Sequence, residues 1–256
     1  MLKIATWNVN SLRVRLDHVL EWLQVQAPDI LALQETKLVD ENFPEEMFIN
    51  IGYRAVFSGQ KTYNGVAVIS KQPATDVLTD FPSYPDPQRR VLFANFNKLS
   101  VLNLYVPNGA EIGSEKYNYK LEWLTHMQSF VETILQRDKH LVILGDFNIA
   151  PADEDVHDPE EWQDRVLVSD PERAHFFQLL DKGMVDCYRH LNKDDREFSW
   201  WDYRAASFRR NRGLRIDHIL ASSSLSQYCH SCVIDKNPRA LEKPSDHTPV
   251  VAEFDI

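Results

Sequence analysis

Residues 141–148, LVILGDFN, decide the fold, because this apolar run stops abruptly at a carboxylate and an amide. A short apolar run bounded by turn residues is typical of a strand buried on both faces. Two other runs end in the same way: Ile4–Trp7 is followed by Asn8, and Ile30–Gln34 by Glu35. Open α/β sheets collect ligands at the ends of their strands. We therefore expect these polar side chains to lie together at the rim of a sheet.

Around these runs, β-type segments alternate with helical patterns. Strands are predicted at Lys3–Trp7, Ile30–Gln34, Val66–Ser70, Val91–Phe96, Val101–Val106, Leu141–Leu144, Leu214–Leu220 and Val250–Phe254. Helices are predicted from Leu12 to a stop before Pro28, from Tyr117 to Leu135, and near Pro171–Asp181, where Gly183 ends the helix. No linker or low-complexity tract interrupts the alternation. We therefore expect residues 1–256 to form a single α/β domain.

The composition places limits on the environment of the chain. No apolar run approaches the ~18 residues of a membrane span, and Met1–Ile4 enters a strand without a signal-peptide pattern. A cytosolic protein without a membrane partner is expected. Cys229 and Cys232 form one CxxC, and a second metal-ligand pair at zinc spacing is missing. The three cysteines are therefore interpreted as structural or surface thiols.

The net charge of −10 argues at first against nucleic acid as a partner. The local distribution of basic residues matters more than the total. Arg209, Arg210, Arg212 and Arg215 lie within seven residues, and Gln88–Arg90 forms a second basic cluster. Each cluster could instead be an ordinary solvated face.

Acidic groups that meet at a sheet rim repel one another and need a cation. Hard oxygen ligands favour Mg²⁺, which usually takes one or two carboxylates and keeps several waters. Each residue also has a purely structural interpretation. Glu35 could be a turn acid, residues 145–148 could form an Asx-type turn, and Asn8 or Asn10 could cap the first helix in competition with Ser11. Only the combination favours a metal site.

The last third of the chain adds an acid and a histidine. Asp217 lies inside a strand-like run, and a buried aspartate needs a partner. His247 lies in the segment Ser245–Pro249, immediately before the final strand. It can accept a proton or donate to a phosphate near neutral pH, and a carboxylate partner would fix its tautomer. We expect Asp217 to be that partner, since His218 should face the other side of the strand.

Several motifs together resemble the exonuclease III family of abasic endonucleases, within the endonuclease/exonuclease/phosphatase superfamily. They are Thr6–Asn10, Leu33–Lys37, Tyr63–Ala67, Leu144–Asn148, Leu214–Asp217 and Pro244–Val250. The resemblance runs from residue 2 to residue 254 with the motifs in the family order. It implies a four-layer α/β sandwich in which two packed mixed β-sheets are flanked by helices. The implied active site lies at one edge of the two sheets.

The resemblance also implies a set of metal and catalytic residues. Glu35 would be the main Mg²⁺ ligand, with Mn²⁺ as a substitute ion. The metal set would comprise Asn8, Glu35, Asp146, Asn148, Asp246 and His247. Asp146 would orient or deprotonate the attacking water, Asn148 would hold the scissile phosphate, and His247, paired with Asp217, would bind it. Tyr105 would approach the phosphate or the leaving oxygen. Whether Asp146 or His247 takes the proton stays open, as does the number of metal ions.

Substrate contacts are implied as well. Trp200 and Leu214 would form the apolar walls of a pocket for an extrahelical abasic sugar, although two core tryptophans in a strand are the alternative for Trp200-Trp201. Backbone contacts would come from Asn108, Arg89, Arg90, Arg209 and Arg212. Lys61, Lys116 and Lys120 are weaker phosphate-contact candidates.

The expected function is a metal-dependent DNA repair nuclease. It would hydrolyse the phosphodiester 5′ to abasic sites in double-stranded DNA and process 3′ ends as a 3′→5′ exonuclease. A monomer is expected. One alternative keeps the chemistry but acts on inositol phosphates or lipids, and another is a catalytically silent DNA-binding module. The acidic stretch Asp153–Asp164 bears on end preference and not on the chemistry.

Overall fold

The computed structural model describes residues 1–256 and contains twelve strands and seven α-helices. The strands are β1 (Leu2–Asn8), β2 (Ile30–Gln34), β3 (Arg54–Ser58), β4 (Val66–Ser70), β5 (Thr75–Leu78), β6 (Val91–Phe96), β7 (Leu99–Tyr105), β8 (Leu141–Asp146), β9 (Met184–Asp186), β10 (Asp217–Ser222), β11 (Cys229–Ile234) and β12 (Val250–Phe254). The helices are α1 (Leu12–Gln26), α2 (Glu45–Ile49), α3 (Glu115–Arg137), α4 (Pro159–Trp162), α5 (Asp170–Asp181), α6 (Cys187–Leu191) and α7 (Ser223–Ser226).

The strands form two six-stranded mixed sheets. The first has the order β11-β12-β1-β2-β4-β3, and the second has the order β5-β6-β7-β8-β10-β9. Each sheet contains one parallel pair, β1 with β2 and β7 with β8, and the other pairs are antiparallel. The two parallel pairs lie near the middle of their sheets, so the ends of their strands are held rigidly.

Alternation along the strands explains the layers. In β1, Ile4 packs into the core between the two sheets, whereas Ala5 packs towards α1. In β8, Val142 faces the other sheet and Ile143 faces α3 and α5. Because successive side chains point to opposite faces, a strand covered on both sides must be apolar throughout. The order helix, sheet, sheet, helix confirms the predicted four-layer α/β sandwich.

Some boundaries differ from the sequence-based prediction. The strand predicted at Leu214–Leu220 begins only at Asp217, because Leu214 instead forms isolated bridges with Val156 and Trp200. Strands β3, β5, β9 and β11 were not predicted from the sequence. β5 lies at a sheet edge and is exposed along its whole length, so its four residues show no alternation of apolar and polar positions. No helix is long and apolar enough to span a membrane, and all three cysteines are buried and free.

Candidate active site

Polar side chains from both sheets converge at one rim of the sandwich. Asn8 ends β1 and Glu35 follows β2, so both lie at the same end of the parallel pair. Asp146 ends β8 and is paired in register with Asp217, the first residue of β10. His247 lies three residues before the start of β12. The predicted meeting of strand ends is therefore present in the fold.

Gly145 is required by the close approach of β7 and β8. Its φ is +141°, and a Cβ built there would lie 1.9 Å from the carbonyl oxygen of Leu104. Only glycine fits without displacing the neighbouring strand. The approach keeps Tyr105 and Asp146 in register across the parallel pair, so both side chains start from the same level of the rim.

Two carboxylates lie at the centre of the site. The Asn8 Nδ2 donates to Glu35 Oε1 at 3.0 Å and to Asp146 Oδ2 at 2.8 Å. Ligand atoms of Glu35, Asp146 and His247 all lie within 4.8 Å of one another. On the open side, the Lys37 Nζ lies 2.8 Å from Glu35 Oε2. The two carboxylates thus concentrate negative charge, and the Lys37 ammonium group is one cation that pairs with it.

His247 is held by two aspartates. Its Nδ1 lies 2.8 Å from Asp217 Oδ2, and its Nε2 lies 3.7 Å from Asp146 Oδ2. The Ser199 hydroxyl donates to Asp217 Oδ2 at 2.7 Å and so fixes that carboxylate. Burial lowers the pKa of His247, but the charges of Asp217 and Asp146 outweigh burial and raise it. The raised pKa favours the imidazolium form at neutral pH, in which Nδ1–H is donated to Asp217 and Nε2–H is directed towards Asp146 without a hydrogen bond.

The ionisation of the neighbouring groups is shifted too. Burial raises the pKa of Asp146 despite the opposing effect of His247. Burial and the charges of Glu35 and Asp146 raise the pKa of Tyr105 well above its ordinary value. The phenol therefore keeps its proton and remains a donor. The Arg90 guanidinium stacks over the Tyr105 ring, 4.6 Å from its centroid.

Two amides continue the site beside Asp146. The Asn148 N–H donates to Asp146 Oδ1 at 2.9 Å, and the Asn148 Nδ2 donates to the Val106 carbonyl at 3.0 Å. The Asn108 Nδ2 donates to Asn148 Oδ1 at 3.1 Å. Asn108 is exposed and Asn148 is buried, so the pair extends from the interior of the site to its surface.

On the opposite side the half-buried Trp200 approaches the centre. Its Nε1 donates to Asp246 Oδ2 at 3.0 Å, and its backbone forms bridges to His247 and Leu214. Trp201 is instead a fully buried core residue. Leu214 is also 0% exposed and packs in one cluster with Val156 and Trp200. This corrects the expectation of an open Leu214 wall, because Leu214 supports Trp200 and exposes no surface of its own.

The four predicted arginine contacts have three different environments. Arg209 is exposed and Arg89 is partly exposed. Arg212 is ion-paired with Glu161, which lies in the acidic stretch Asp153–Asp164. Arg90 is buried, and its NH1 donates to the Tyr105 carbonyl at 3.2 Å, so it orients Tyr105 instead of reaching outward.

Two further basic residues are buried as well. Arg215, at the end of the arginine run, is 1% exposed, and Lys120 is fully buried, so neither can contact a duplex. Lys61 and Lys116 are exposed.

The donor set at the centre fits a hard divalent cation. Glu35 and Asp146 supply two convergent carboxylates, and like charges this close together, with Asp146 buried, favour a compensating cation. The other predicted ligands are arranged differently. Asn8 presents its Nδ2 to the carboxylates, and its Oδ1 accepts from the Asn10 N–H at 3.0 Å. Asp246 accepts from Asn10 and Trp200.

Lys37 and Ser199 belong to this site but were not singled out from the sequence. Lys37 lies two residues after Glu35, inside a motif that was quoted for its acid. A basic residue that closely follows a predicted metal ligand in the sequence could have indicated that Lys37 belongs to the site. Ser199 carries no such signal, since its contact with Asp217 spans 18 residues and depends on the fold.

Comparisons with known proteins agree with this geometry. Residues 5–247 match the endonuclease/exonuclease/phosphatase family. The chain is 38% identical over 266 residues to exodeoxyribonuclease III of Haemophilus influenzae, covering 99% of this chain and 100% of that protein. The structure of the 3′ phosphatase NExo from Neisseria, bound to a product DNA hairpin, superposes with a TM-score of 0.99 at 46% identity and full coverage of both chains. An AP endonuclease from Archaeoglobus fulgidus superposes with a TM-score of 0.97 at 42% identity, again with full coverage of both. This chain belongs to the endonuclease/exonuclease/phosphatase family.

Proposed function

We propose that this protein is a Mg²⁺-dependent DNA repair nuclease that hydrolyses the phosphodiester 5′ to an abasic site and processes 3′ ends. One observation carries the proposal: the Asp217–His247–Asp146 array lies beside Glu35 at a rim flanked by Trp200. The array can neutralise a phosphate and activate water. The relatives that match over the full chain are named as enzymes that act on DNA.

In the proposed reaction, water attacks phosphorus, the bond to the 3′ oxygen breaks, and the departing oxygen takes a proton from solvent to become a 3′-hydroxyl. Asp146 Oδ2 accepts the proton of the attacking water, because an imidazolium at His247 has no free lone pair to accept it. The His247 Nε2–H donates to a non-bridging phosphate oxygen, and the charge of Asp217 maintains that proton.

The remaining groups bind and orient the phosphate. The Tyr105 hydroxyl donates to the phosphate or the leaving oxygen, and the Asn148 amide fixes the phosphate relative to Asp146. Glu35 and Asp146 would hold Mg²⁺, which supplies positive charge to the scissile phosphate and lowers the barrier to attack by an anionic nucleophile. Preorganised donors of this kind are worth about 10²–10³ in kcat each.

The choice of DNA is supported by the surroundings of the site. Trp200 offers an apolar face beside the phosphate position, and a sugar without a base is small enough to pack there. Exposed Arg209 and partly exposed Arg89 can contact the phosphate backbone without reading sequence. Inositol phosphates and lipids would use neither feature. A silent binding module would not need the acid, base and donor groups in contact.

A 3′-phosphatase activity is a second candidate. The 46% identical Neisseria structure is named a 3′ phosphatase and contains a product DNA hairpin. Removing a terminal 3′ phosphate uses the same attack on phosphorus and the same donors, so one site serves both activities. We further propose that residues 1–256 are one catalytic domain that acts as a monomer, because the proposed site residues already contact one another within a single chain.

The test is cleavage of a labelled duplex that carries one tetrahydrofuran abasic analogue, with Mg²⁺, with Mn²⁺ and with EDTA. A recessed-end duplex, a 3′-phosphate duplex and an inositol phosphate serve as parallel substrates. Metal-dependent incision is expected, and Asp146→Asn should reduce it by at least about 10³-fold. The matched control is Asp138→Asn, a carboxylate beyond the C-terminal end of α3. No incision of any DNA by folded protein, or full activity of Asp146→Asn, would overturn the proposal.

A further inference from the structure

A buried ion pair lies directly behind the amide side of the site. Lys120 of α3 and Glu172 of α5 are ion-paired, and both side chains are 0% exposed. Taking two charges out of water is expensive, and their mutual attraction offsets that cost only when the remaining donors and acceptors are also satisfied. A pair of this kind is weak evidence for stability, so its other contacts indicate its role.

Those contacts use the full hydrogen-bonding capacity of the ammonium group. Besides Glu172, the Lys120 Nζ donates to the Asn148 carbonyl at 2.7 Å and to the Asn108 carbonyl at 3.2 Å. Glu172 accepts from the Leu167 N–H and the Ser169 N–H, each at 3.1 Å. The pair thus connects two helices to the backbone of two loop residues.

These two loop residues carry the amides of the site. The side chains of Asn108 and Asn148 are hydrogen-bonded to each other, and the Asn148 N–H bonds to Asp146. Asn148 has a φ of +49°, a left-handed conformation that asparagine tolerates better than most residues with a Cβ. A Cβ at Gly109 would lie 3.2 Å from the Lys120 side chain, so that side chain packs directly beneath the turn. The lysine therefore fixes the two turns through their Asn108 and Asn148 carbonyls.

We propose that Lys120 and Glu172 are positioning residues that fix the Asn108 and Asn148 amides for phosphate binding during the reaction. Lys120 does not contact DNA, because its ammonium group is enclosed and its donors are occupied. The proposal rests on the proposed function, since the reaction assigned above is the one that the amides serve. A misplacement of a reacting group by about 1 Å is enough to lower the rate about 100-fold.

The test replaces the whole pair, so that no charge is left buried alone. Lys120→Met/Glu172→Met is expected to fold, because apolar residues of similar volume substitute well for buried ion pairs. Its kcat on the abasic-analogue duplex should fall about 100-fold, with KM changed less than about threefold. The matched control is Glu132→Met/Lys182→Met, which removes a surface ion pair between α3 and the residue that follows α5 and should keep the wild-type kcat.

A double-mutant cycle tests whether the pair acts through the amide. In an Asn148→Ala background, the methionine pair should lower kcat by at most about fivefold more, whereas independent effects would multiply. If the methionine pair does not fold, Lys120→Gln/Glu172→Gln replaces it with a neutral polar pair too short to reach both carbonyls, and the same loss is expected.

Two outcomes overturn the proposal. The first is a folded variant of the Lys120–Glu172 pair that keeps the wild-type kcat. The second is a pair variant that lowers kcat by the same factor in the Asn148→Ala background as in the wild-type background. Both outcomes are judged by comparison with wild-type protein that cleaves the duplex. If the wild-type protein itself were inactive, the proposed function would be refuted, so the two failures can be told apart.

Discussion

Replacing Arg215 should destabilise the protein without weakening its affinity for DNA. The guanidinium is 1% exposed, its Nε donates to Asp155 Oδ1 at 2.7 Å, and its NH1 donates to Asp186 Oδ2 at 2.8 Å. Burial lowers the pKa of Arg215, but Asp186 and Asp155 outweigh burial and raise it, so the group stays charged. In Arg215→Met, Asp186 loses its cation and Asp155 keeps only Arg189.

The magnitude follows from the burial of those carboxylates. Removing one partner of a buried pair typically costs about 3–5 kcal/mol, because the other charge is left uncompensated. In a protein of this size each kcal/mol shifts Tm by about 2–4 °C, so a fall of about 10 °C is expected. Arg209→Met, at an exposed position of the same run, should change stability by less than about 0.5 kcal/mol. It should instead lower duplex affinity and reduce the salt slope by about 0.9 for a lost phosphate contact.

Two measurements separate these effects. Urea and thermal unfolding give the stability of both variants, and titration of an abasic-analogue duplex in EDTA at several salt concentrations gives the phosphate contacts. If Arg215→Met kept the wild-type Tm while its salt slope fell, Arg215 would be a DNA contact, and its assignment to the buried ion network would be refuted.

Three further predictions follow from single residues. Gly145→Ala should destabilise the protein by more than about 3 kcal/mol, because its Cβ would collide with Leu104, and an unchanged urea midpoint would contradict this. Burial and then Arg215 lower the pKa of His218 to about 4. The unfolded chain therefore binds a proton between pH 6.5 and 4 that the folded chain does not, so about 3 kcal/mol of stability present above pH 6.5 is lost as pH falls to 4. Unfolding at a series of pH values should show this loss in wild-type protein and a smaller one in His218→Gln; parallel curves would exclude it. Lys37→Met should leave unfolding unchanged but alter the Mg²⁺ concentration that gives half-maximal cleavage, because its ammonium group contacts Glu35, and an identical Mg²⁺ titration would disprove that link.

The candidate active site could be predicted from the sequence because its residues follow strong strand signals. In residues 141–148 an apolar run ends in a polar residue. A strand that is buried on both faces can accommodate such a residue only at its end. Asp217 was assigned a partner because an acid in an apolar run must be compensated. The structure places His247 Nδ1 2.8 Å from it. The layer order also follows from strands that are apolar on both faces.

Tertiary structure alone decided which charges face water. Within one arginine run, Arg209 is exposed and Arg215 is buried, although the residues have the same local propensities. The difference arises because Asp155 and Asp186, 60 and 29 residues away, meet Arg215 in the interior. Lys120 is buried for the same reason, since Glu172 and two loop carbonyls surround it. Burial of a charged side chain depends on partners that are distant in the chain. The periodicity and spacing of the local sequence therefore cannot predict it.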